Sequence, residues 1–536
     1  MSERYETVVP MPRRGGGSES DGPALLRLDP ADSVGVALRA IAPGEVLTFG
    51  TGGPSSTGRT DGEGVRSIDR VPPGHKVALI DVAEGERVLK YAQTIGFASE
   101  AIPVGRHVHV HNLAFRDSDA TQRMGGAARP LEPMTPTLFE GYRRADGRVG
   151  TRNFIAVISS VNCSATVAHR IADAFDEEAL AAFPNIDGVA AFVHGTGCGM
   201  AAAGEGFDNL QRVLAGYARH PNVGGVLMVG LGCEVSQIGT TAAREGLETG
   251  PLLQTMNIQG AGGTRRTVER GREIVREMLA AVNEVRREPC PASDLTLALQ
   301  CGGSDAWSGI TANPALGHAA DLLVRQGGTA VLAETPEIYG AEHLLTRRAS
   351  SPEVAEALMA RIHWWQRYTA RNDGSLDNNP SPGNKLGGLT TILEKSLGAV
   401  AKGGTGPLTG VYRYAEQISA KGFVFMDSPG YDPASVTGQI AGGCNLVAFT
   451  TGRGSAFGSK PAPCLKIATN TTMYESLRDD MDIDAGTVVG AGESIEAVGA
   501  RVLERLLAVA SGAPTLSESH GLGDHEFVPW QIGAVM

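Results

Sequence analysis

Apolar segments that alternate with polar loops and helical patterns constrain the fold of this chain more than any other feature. From Gly141 onward, these segments include residues 154–158, 223–231 and 295–299. Stretches rich in Ala, Leu, Arg and Glu, such as residues 165–178 and 265–287, lie between them. Such alternation is typical of α/β domains with a largely parallel sheet. The sequence therefore predicts a Rossmann-like α/β region, and ligands of such sheets bind at loops beyond the strand ends.

The chain before residue 114 has a different texture. Short apolar stretches with period-2 alternation lie between closely spaced glycines and prolines. This pattern is typical of a small all-β unit. Residues 50–64 are rich in Gly, Ser and Thr and are predicted to form a loop inside it.

The length of the chain supports a division into several domains. At 536 residues it is too long for one hydrophobic core. We predict a disordered tail (1–22), a β domain (23–113), a linker (114–139), an α/β catalytic domain (140–386), and a second α/β domain with a C-terminal tail (387–536).

Charge and hydropathy exclude two functional classes. The formal net charge is −12, and nothing supplies the basic stripe that nucleic acid requires. No apolar run approaches the roughly 20 residues that span a membrane, and the N-terminus lacks the apolar core of a signal peptide. We therefore expect a cytoplasmic protein that acts on a small molecule, without a nucleic-acid or membrane partner.

Four of the seven cysteines lie in loops that follow predicted strands. These are Cys163, Cys198, Cys233 and Cys301. Thiolates from separate loops can bind a metal ion or an iron–sulfur cluster. Cysteine is also a small residue that suits buried loops, and no CxxC spacing decides between the two interpretations. An odd number of scattered cysteines does not indicate a disulfide framework.

Histidines form a second candidate metal site. His107, His109 and His111 occupy alternate positions of a predicted strand, which would place them on one face. Imidazoles arranged in this way can bind a divalent metal, and His75 could join them from another strand. The alternative is a solvated edge strand.

The turn at residues 379–385 contains two prolines and ends in Asn384 and Lys385. Because proline restricts the chain, both side chains could be held in place before a substrate arrives. Lys385 could neutralise a carboxylate or act as a general base. A surface turn with a solvated lysine is the alternative.

Two further polar groups could bind an anionic substrate. One lies near a predicted helix N-terminus, where free N–H groups attract anions, although ordinary N-capping explains the same residues. The other is Arg453, which lies between two glycines after an apolar strand and could clamp a carboxylate. The first group comprises Ser304, Asp305, Thr311 and Asn313.

Several long phrases resemble the altronate/galactarate dehydratases of hexuronate and aldarate catabolism. They lie at residues 141–144, 147–153, 230–234, 301–305, 310–314, 379–385 and 451–454. The resemblance covers nearly the whole chain. Residues 24–113 resemble the β-clip module of this family, the SAF domain, and residues 107–112 and 337–342 resemble altronate dehydratase more than galactarate dehydratase.

This resemblance implies metal-dependent elimination of water from a sugar-acid carboxylate, which gives a 2-keto-3-deoxy acid. It implies Fe²⁺ as the cofactor, with Mn²⁺ as a substitute and an iron–sulfur cluster as the alternative. We expect the histidines, the four cysteine loops or both to hold the metal. The candidate catalytic groups are Lys385, His194 and Glu234. The candidate substrate-binding residues are Asn162, Arg152, Ser304, Asp305, Thr311, Asn313, Asn384 and Arg453.

Three further expectations concern assembly and alternative functions. The β domain should dock over the loops of the α/β region, because it carries too few features to act alone. A homodimer is the default assembly. The competing functions are a sulfolactate sulfo-lyase, which would eliminate sulfite instead of water, and a non-catalytic sugar-acid-binding protein.

Overall fold

The computed structural model describes residues 23–51, 64–117 and 125–536. The predicted tail (1–22), most of the predicted loop (50–64) and part of the predicted linker (114–139) lie outside these ranges. The first region is built from ten short strands. They are β1 (Leu25–Arg27), β2 (Val34–Ala37), β3 (Val46–Leu47), β4 (Phe49–Thr51), β5 (Val65–Arg66), β6 (Lys76–Ala78), β7 (Arg87–Lys90), β8 (Gln93–Ala98), β9 (His107–Val108) and β10 (Leu113–Ala114).

This first region is all-β in its described part. Strands β4-β1-β2-β6-β9 form one sheet, β10-β8-β7 form a second, and β3 pairs with β5. Every residue of β2 and β6 is buried, so both faces of these central strands are covered. The predicted strand at residues 107–111 is shorter than expected. It ends at Val108, because the side-chain carbonyl of Asn112 accepts the His109 N–H and closes a turn.

The second region contains a parallel sheet of order β14-β13-β15-β16 and a small antiparallel sheet of order β12-β11-β17. The predicted helix at residues 165–178 is broken into α1 and α2. The elements are β11 (Leu138–Arg143), β12 (Val149–Gly150), β13 (Phe154–Ser159), α1 (Ala165–Ala172), α2 (Glu177–Leu180), β14 (Gly188–Phe192), α3 (Glu205–Ala218), β15 (Val223–Gly230), α4 (Ile238–Glu245), β16 (Leu253–Asn257), α5 (Thr264–Glu284) and β17 (Arg287–Pro291).

The third region is built on a parallel sheet of order β20-β21-β19-β18-β22-β23-β24. Its central strands are fully buried, as is usual when helices cover both faces of a sheet. The elements are β18 (Thr296–Cys301), α6 (Ala312–Arg325), β19 (Thr329–Leu332), α7 (His343–Thr346), α8 (Pro352–Arg371), α9 (Pro382–Leu386), α10 (Ile392–Val400), β20 (Leu408–Tyr412), β21 (Gly422–Met426), α11 (Asp432–Ala441), β22 (Leu446–Thr451), β23 (Cys464–Ala468), α12 (Thr471–Ser476), β24 (Ile483–Asp484), α13 (Thr487–Gly490), α14 (Ile495–Ala510) and α15 (Leu516–Ser519).

The prediction of a small all-β region followed by α/β regions with parallel sheets is confirmed. The domain boundary predicted at residue 387 does not coincide with a boundary between sheets. Strands β18 and β19 precede this position and pair with β22 and β21, which follow it. A domain boundary at residue 387 would therefore divide one continuous parallel sheet. Among the described residues, no helix is both long and apolar enough to cross a membrane.

The β region docks on the third region, as the sequence predicted. Lys76 and Lys90 both donate to Glu394 of α10, and the three charged side chains are buried. Thr391, the N-cap of α10, donates to the Ile95 carbonyl oxygen in β8. Tyr91 lies against Gly309 at the same interface. The β region therefore covers the third region close to the carboxyl ends of its strands.

Candidate active site

The candidate site lies at the carboxyl edge of the third region's parallel sheet, where ligands of open α/β sheets gather. Cys301 is the last residue of β18, and Glu334 follows β19 by two positions. Arg453 follows β22, and Thr469 follows β23. The parallel direction of these strands brings four distant sequence segments to one edge.

A buried group of one thiol and two carboxylates lies at this edge. Ligand atoms of Cys301, Glu334 and Glu337 all lie within 4.8 Å of one another. Cys301 is 2% exposed, Glu334 0% and Glu337 3%. Glu334 has φ +71°, a left-handed conformation that is uncommon for a residue with a side chain. Such backbone strain is concentrated at functional sites.

Two buried lysines lie against the thiol and the carboxylates of this group. Lys402 Nζ lies 2.8 Å from Cys301 Sγ and 3.7 Å from a Glu334 carboxylate oxygen. Lys395 Nζ lies 2.7 Å from a Glu337 carboxylate oxygen and 2.5 Å from Asn379 Oδ1. Asn379 also donates to Glu337. The predicted turn at residues 379–385 therefore contributes Asn379 to the site, a residue for which the sequence analysis assigned no role.

The electrostatics of the group follow from burial and from the lysines. Burial raises the pKa of Glu334 well above its ordinary value, and the nearby Glu337 adds to this effect. The pKa of Glu337 is lowered, because Lys395 and Lys402 outweigh its loss of hydration. Burial raises the pKa of the Cys301 thiol to about 11 and that of Asp432 to about 6. The Asp432 carboxylate lies directly against Gly302, beside the group.

Glu334 is the member of the group that suggests a bound cation. Neither of its carboxylate oxygens has a hydrogen-bond partner among the described residues, although both are buried. A buried carboxylate without hydrogen-bond partners is costly even with Lys402 3.7 Å away, and native structures rarely leave one unexplained. A thiolate with two carboxylates is a donor set that suits a divalent transition metal. Cys301, Glu334 and Glu337 therefore fit a metal ion.

A small cavity adjoins the group. Its walls include Cys301, Ser304, Asp305, Lys395 and Tyr91, the last from the β region. Its volume of about 10 Å³ has room for about one water molecule. A six-carbon acid is larger than this space. Binding such an acid here therefore requires some of the walls to move.

Most of the predicted polar loop residues lie near this cavity, but the fold already uses their polar atoms. Asp305 accepts hydrogen bonds from Ser308, Thr469 and Asn470. Asn384 closes a capping box with Ser381, and its amide donates to the Ser304 carbonyl oxygen. The Thr311 hydroxyl donates to the Thr469 carbonyl oxygen, and the Asn313 amide donates to the Gly398 carbonyl oxygen. These side chains shape the walls, and their bonds leave little capacity for direct contact with a substrate.

Lys385 and Arg453 differ from these residues. Lys385 is half-buried, and its carbonyl oxygen, not its ammonium group, lies 2.9 Å from His109 Nε2. Arg453 is exposed, and its backbone N–H donates to the Gly303 carbonyl oxygen. Both cationic side chains lie on the rim of the carboxyl edge. Such groups can attract a carboxylate at low desolvation cost.

The four predicted histidines are brought together at the same interface. The ring centroids of His75 and His107 are 5.1 Å apart, and those of His107 and His111 are 5.4 Å apart. His75 Nδ1 lies 3.0 Å from His107 Nε2, and His75 Nε2 lies 3.3 Å from the Leu386 carbonyl oxygen. Burial lowers the pKa of His75 to about 4 and that of His107 to about 3. The rings of His75 and His107 are therefore neutral near pH 7, which is the form that binds metals.

Four predicted site residues of the second region have polar atoms that bond within the fold. His194 Nε2 lies 3.0 Å from the Ser159 carbonyl oxygen, and its Nδ1 accepts the Thr196 N–H, so neither nitrogen is free to act as a base. Glu234 accepts Ser160 Oγ–H and two backbone N–H groups. Asn162 donates to the His194 carbonyl oxygen.

Arg152 is the fourth of these residues. Its five N–H groups donate to the Glu518 carboxylate and to the carbonyl oxygens of Thr151, Val509 and Ala513. No donor is left for a substrate. Its buried guanidinium instead ties the second region to α15 and the end of α14.

The predicted cysteines divide between two edges. Cys301 belongs to the buried group of the third region. Cys163, Cys198 and Cys233 are exposed and lie on loops at the carboxyl edge of the second region's parallel sheet. These three cysteines are not part of the buried group.

Comparison with known proteins identifies the family. The altronate/galactarate dehydratase SAF domain matches residues 23–116, the second domain of D-galactarate dehydratase/altronate hydrolase matches residues 141–283, and the C-terminal domain of D-galactarate/altronate dehydratase matches residues 292–535. The chain belongs to the galactarate/altronate dehydratase family. The resemblance inferred from the sequence phrases is therefore confirmed.

Individual relatives agree with this assignment. The chain is 35% identical to altronate dehydratase of Bacillus subtilis (strain 168), over 91% of this chain and 95% of that protein. It is 37% identical to galactarate dehydratase (L-threo-forming) of Escherichia coli (strain K12), over 86% and 90%. It is also 34% identical to the (2R)-sulfolactate sulfo-lyase subunit beta of Chromohalobacter salexigens, over 73% and 96%.

Sequence reasoning missed two members of the buried group, Glu334 and Glu337. It also missed the charged residues beside the group, which are Lys395, Lys402 and Asp432. One signal was available for Glu334. Residues 330–333 form an apolar run directly before Glu334, and a charged residue in that position lies at the carboxyl edge of a parallel sheet. Lys395 and Lys402 lie in α10 and in the 3₁₀ turn that follows it. No strand pattern marks them.

Proposed function

We propose that this chain is a metal-dependent hydro-lyase that removes water from a sugar-acid carboxylate, such as altronate or galactarate, and yields a 2-keto-3-deoxy acid. Relatives named as dehydratases of these two acids align over most of the chain. The observation that carries the proposal is the buried group of Cys301, Glu334 and Glu337, in which the Glu334 carboxylate has no hydrogen-bond partner among the described residues.

The metal would be bound by Cys301, Glu334 and Glu337, and Fe²⁺ is our candidate, with Mn²⁺ as a substitute. A divalent ion there would supply Lewis acidity to a substrate carboxylate and to a departing hydroxyl group. The histidines around His75 form the competing site. Both ring nitrogens of His75, and Nε2 of His107 and of His109, already have partners, whereas the Glu334 oxygens have no hydrogen-bond partner among the described residues.

The chemical difficulty is the proton on the carbon next to an ionised carboxylate, which is a very weak acid. Removing it places additional negative charge on the carboxylate oxygens. The buried ammonium groups of Lys395 and Lys402 stabilise such charge in a low-dielectric site. The β-hydroxyl then leaves as water after it receives a proton, and the resulting enol converts to the 2-keto acid.

Two groups are our candidates for moving these protons. Asp432 lies against Gly302 beside the buried group, and a carboxylate in that position could reach a substrate over the carboxyl edge. Lys385 lies on the rim, between the histidines and the Ser304 loop. Arg453 would hold the substrate carboxylate. Asp305, Asn384 and Thr311 would position the loops that form the walls.

Access to the site involves the β region. The cavity holds about one water molecule, and Tyr91 of the β region forms part of its wall. The β region is joined to the catalytic edge by side-chain contacts and by residues 114–137, not by a shared sheet. A shift of this region would therefore admit the substrate without disrupting either parallel sheet.

The test is an anaerobic assay of the purified chain. Fe²⁺ or Mn²⁺ is added, and 2-keto-3-deoxy acid formation is measured across a panel of hexonates and aldarates, with and without a chelator. We expect metal-dependent product from one acid, with loss of both activity and bound metal in Cys301→Ser. Cys290→Ser, a buried cysteine in β17, is the matched control and should retain both. Full metal binding in Cys301→Ser with loss in His109→Gln would move the metal to the histidines.

A second candidate reaction is elimination of sulfite from sulfolactate. The chain is 34% identical to a sulfo-lyase subunit beta and 41% identical, over 86 residues, to a subunit alpha. Both reactions begin with removal of the proton next to a carboxylate. Sulfite release from (2R)-sulfolactate, with no product from any sugar acid, would favour this reading. We further propose a homodimer, which light scattering in solution tests directly.

A further inference from the structure

Three exposed cysteines lie on neighbouring loops of the second region, apart from the buried group. Cys163 follows β13, Cys198 follows β14 and Cys233 follows β15. These strands are adjacent in the order β14-β13-β15 and run parallel. All three loops therefore leave the sheet at the same edge.

Hydrogen bonds hold the three loops together. The Asn162 N–H donates to the Thr196 carbonyl oxygen at 2.9 Å, which joins the Cys163 loop to the Cys198 loop. The Ser236 N–H donates to the Gly197 carbonyl oxygen at 3.0 Å, which joins the Cys198 loop to the Cys233 loop. Ser160 Oγ donates to Glu234 at 2.8 Å and closes the ring between the first loop and the third.

Glycine is required at one of these junctions. Gly197 has φ +97°, and a side chain at this position would collide with the Ser160 carbonyl oxygen and the Val161 backbone. The absence of a side chain lets the loop next to Cys198 pack directly on the loop that leads to Cys163. The buried carboxylate of Glu234, which accepts two N–H groups of its own loop, fixes the position of Cys233 in the same way.

The exposure of the three thiols is unusual. Free cysteine is among the most frequently buried residue types, and the other four cysteines of this chain are buried. Gln259, from the loop after β16, donates its amide to Cys233 Sγ at 3.4 Å. Amide donors to sulfur are a recurring feature of iron–sulfur sites, where they tune the cluster.

We propose that Cys163, Cys198 and Cys233 bind a [4Fe–4S] cluster through three thiolates. Among the described residues, these sulfur atoms do not form a group within 4.8 Å of one another. A single tetrahedral ion, with metal–sulfur bonds of about 2.3 Å, requires closer sulfur atoms. A cubane spreads its ligands over separate iron atoms and accepts a wider spacing. Binding releases the three thiol protons, and the fourth iron keeps a position open for an oxygen ligand from solvent or from a hydroxy acid.

The test of this site is independent of the proposed reaction, because it needs no turnover. The full chain is reconstituted anaerobically with equal amounts of ferrous and ferric iron, sulfide and a thiol, and is then freed of loosely bound iron. Iron, acid-labile sulfide and the visible absorption band are measured, followed by electron paramagnetic resonance of the reduced protein. We expect about four sulfide per chain, and about four iron beyond the iron that the Cys163→Ser variant retains in the buried group.

Single substitutions identify which cysteines bind the cluster. Cys163→Ser, Cys198→Ser and Cys233→Ser should each lose the sulfide and the visible band while keeping the wild-type unfolding temperature. Cys301→Ser and Cys464→Ser should keep both signals, which separates this site from the buried group. Iron without sulfide, a disulfide among the three cysteines in place of a cluster, or a cluster that survives any of the three substitutions would overturn the assignment.

Discussion

Lys76 of β6 and Glu394 of α10 form a buried ion pair across 318 positions of sequence, with Nζ 2.9 Å from Oε2 and no exposure of either side chain. Lys90 approaches the other carboxylate oxygen of Glu394 at 2.9 Å. The Lys76 ammonium also donates to the Gly388 carbonyl oxygen. This charged triad joins the β region to the helix that carries Lys395, so the docking of the β region and the shape of the catalytic edge are coupled.

The first prediction concerns this ion pair. Lys76→Met should lower the free energy of unfolding by about 3 kcal/mol, because removing one partner leaves part of a buried charge uncompensated. Urea unfolding measures the change. Arg270→Ala, which removes an exposed ion pair with Glu273, is the control and should cost less than about 1 kcal/mol. Equal stabilities for the two variants would contradict a structural role for the triad.

The sequence predicted the architecture well, because periodicity and turn residues report local structure directly. It also placed Cys301 among four candidate metal ligands, since a cysteine at the end of an apolar run lies at the carboxyl edge of a parallel sheet. The partners of Cys301 could not be predicted in the same way. Lys402 follows it by 101 positions, in a turn with no distinguishing pattern. Only the pairing of β18 with its neighbours brings such residues together.

Three expected site residues of the second region show a limit of sequence reasoning. His194, Glu234 and Arg152 are residue types that often act in catalysis, and each lies close to a predicted strand end. A polar side chain at a buried loop can also satisfy backbone groups, and the sequence does not reveal which need is met. The donors of Arg152 are fully used by carbonyl oxygens and by Glu518, a residue 366 positions away. The contacts that fix these roles are long-range.

The second prediction concerns stability at acid pH. Burial lowers the pKa of His220 to about 3, and its ring contacts the Cys444 carbonyl oxygen and the Asn222 N–H. In the unfolded chain the pKa is about 6.5, so below pH 6.5 the unfolded state binds a proton that the folded state does not. Its contribution to stability is present above pH 6.5 and is lost as the pH falls toward 3.

Unfolding measured between pH 6 and pH 4.5 tests this effect. The slope of the wild-type unfolding free energy against pH should exceed that of His220→Gln by about 1.4 kcal/mol per pH unit. His525→Gln, at an exposed position, should leave the slope unchanged. An identical slope in His220→Gln would show that this histidine does not titrate on unfolding.

The third prediction concerns Arg453. Arg453→Ala should raise KM for the acid substrate by about tenfold, because the loss of one charge-assisted contact is worth roughly 1.4 kcal/mol. Stability should change by less than about 0.5 kcal/mol, since the side chain is exposed. Arg265→Ala, on the exposed face of α5, should change neither quantity. An unaltered KM in Arg453→Ala would place the carboxylate elsewhere.

The fourth prediction concerns Lys385. Lys385→Met should abolish turnover while leaving the fold intact, because the helix that carries it is held by the capping box of Ser381 and Asn384 and not by the lysine side chain. His109 bonds the backbone carbonyl oxygen at this position, a contact that the substitution preserves. Steady-state kinetics measures the loss of turnover, and thermal unfolding of the same sample checks that the fold is intact. The control is Lys421→Met, distant in sequence and bonded to the Ser293 carbonyl oxygen at the other end of the sheet, which should keep full activity. Near-wild-type turnover in Lys385→Met would remove this lysine from the mechanism and leave Asp432 as the group that moves the proton.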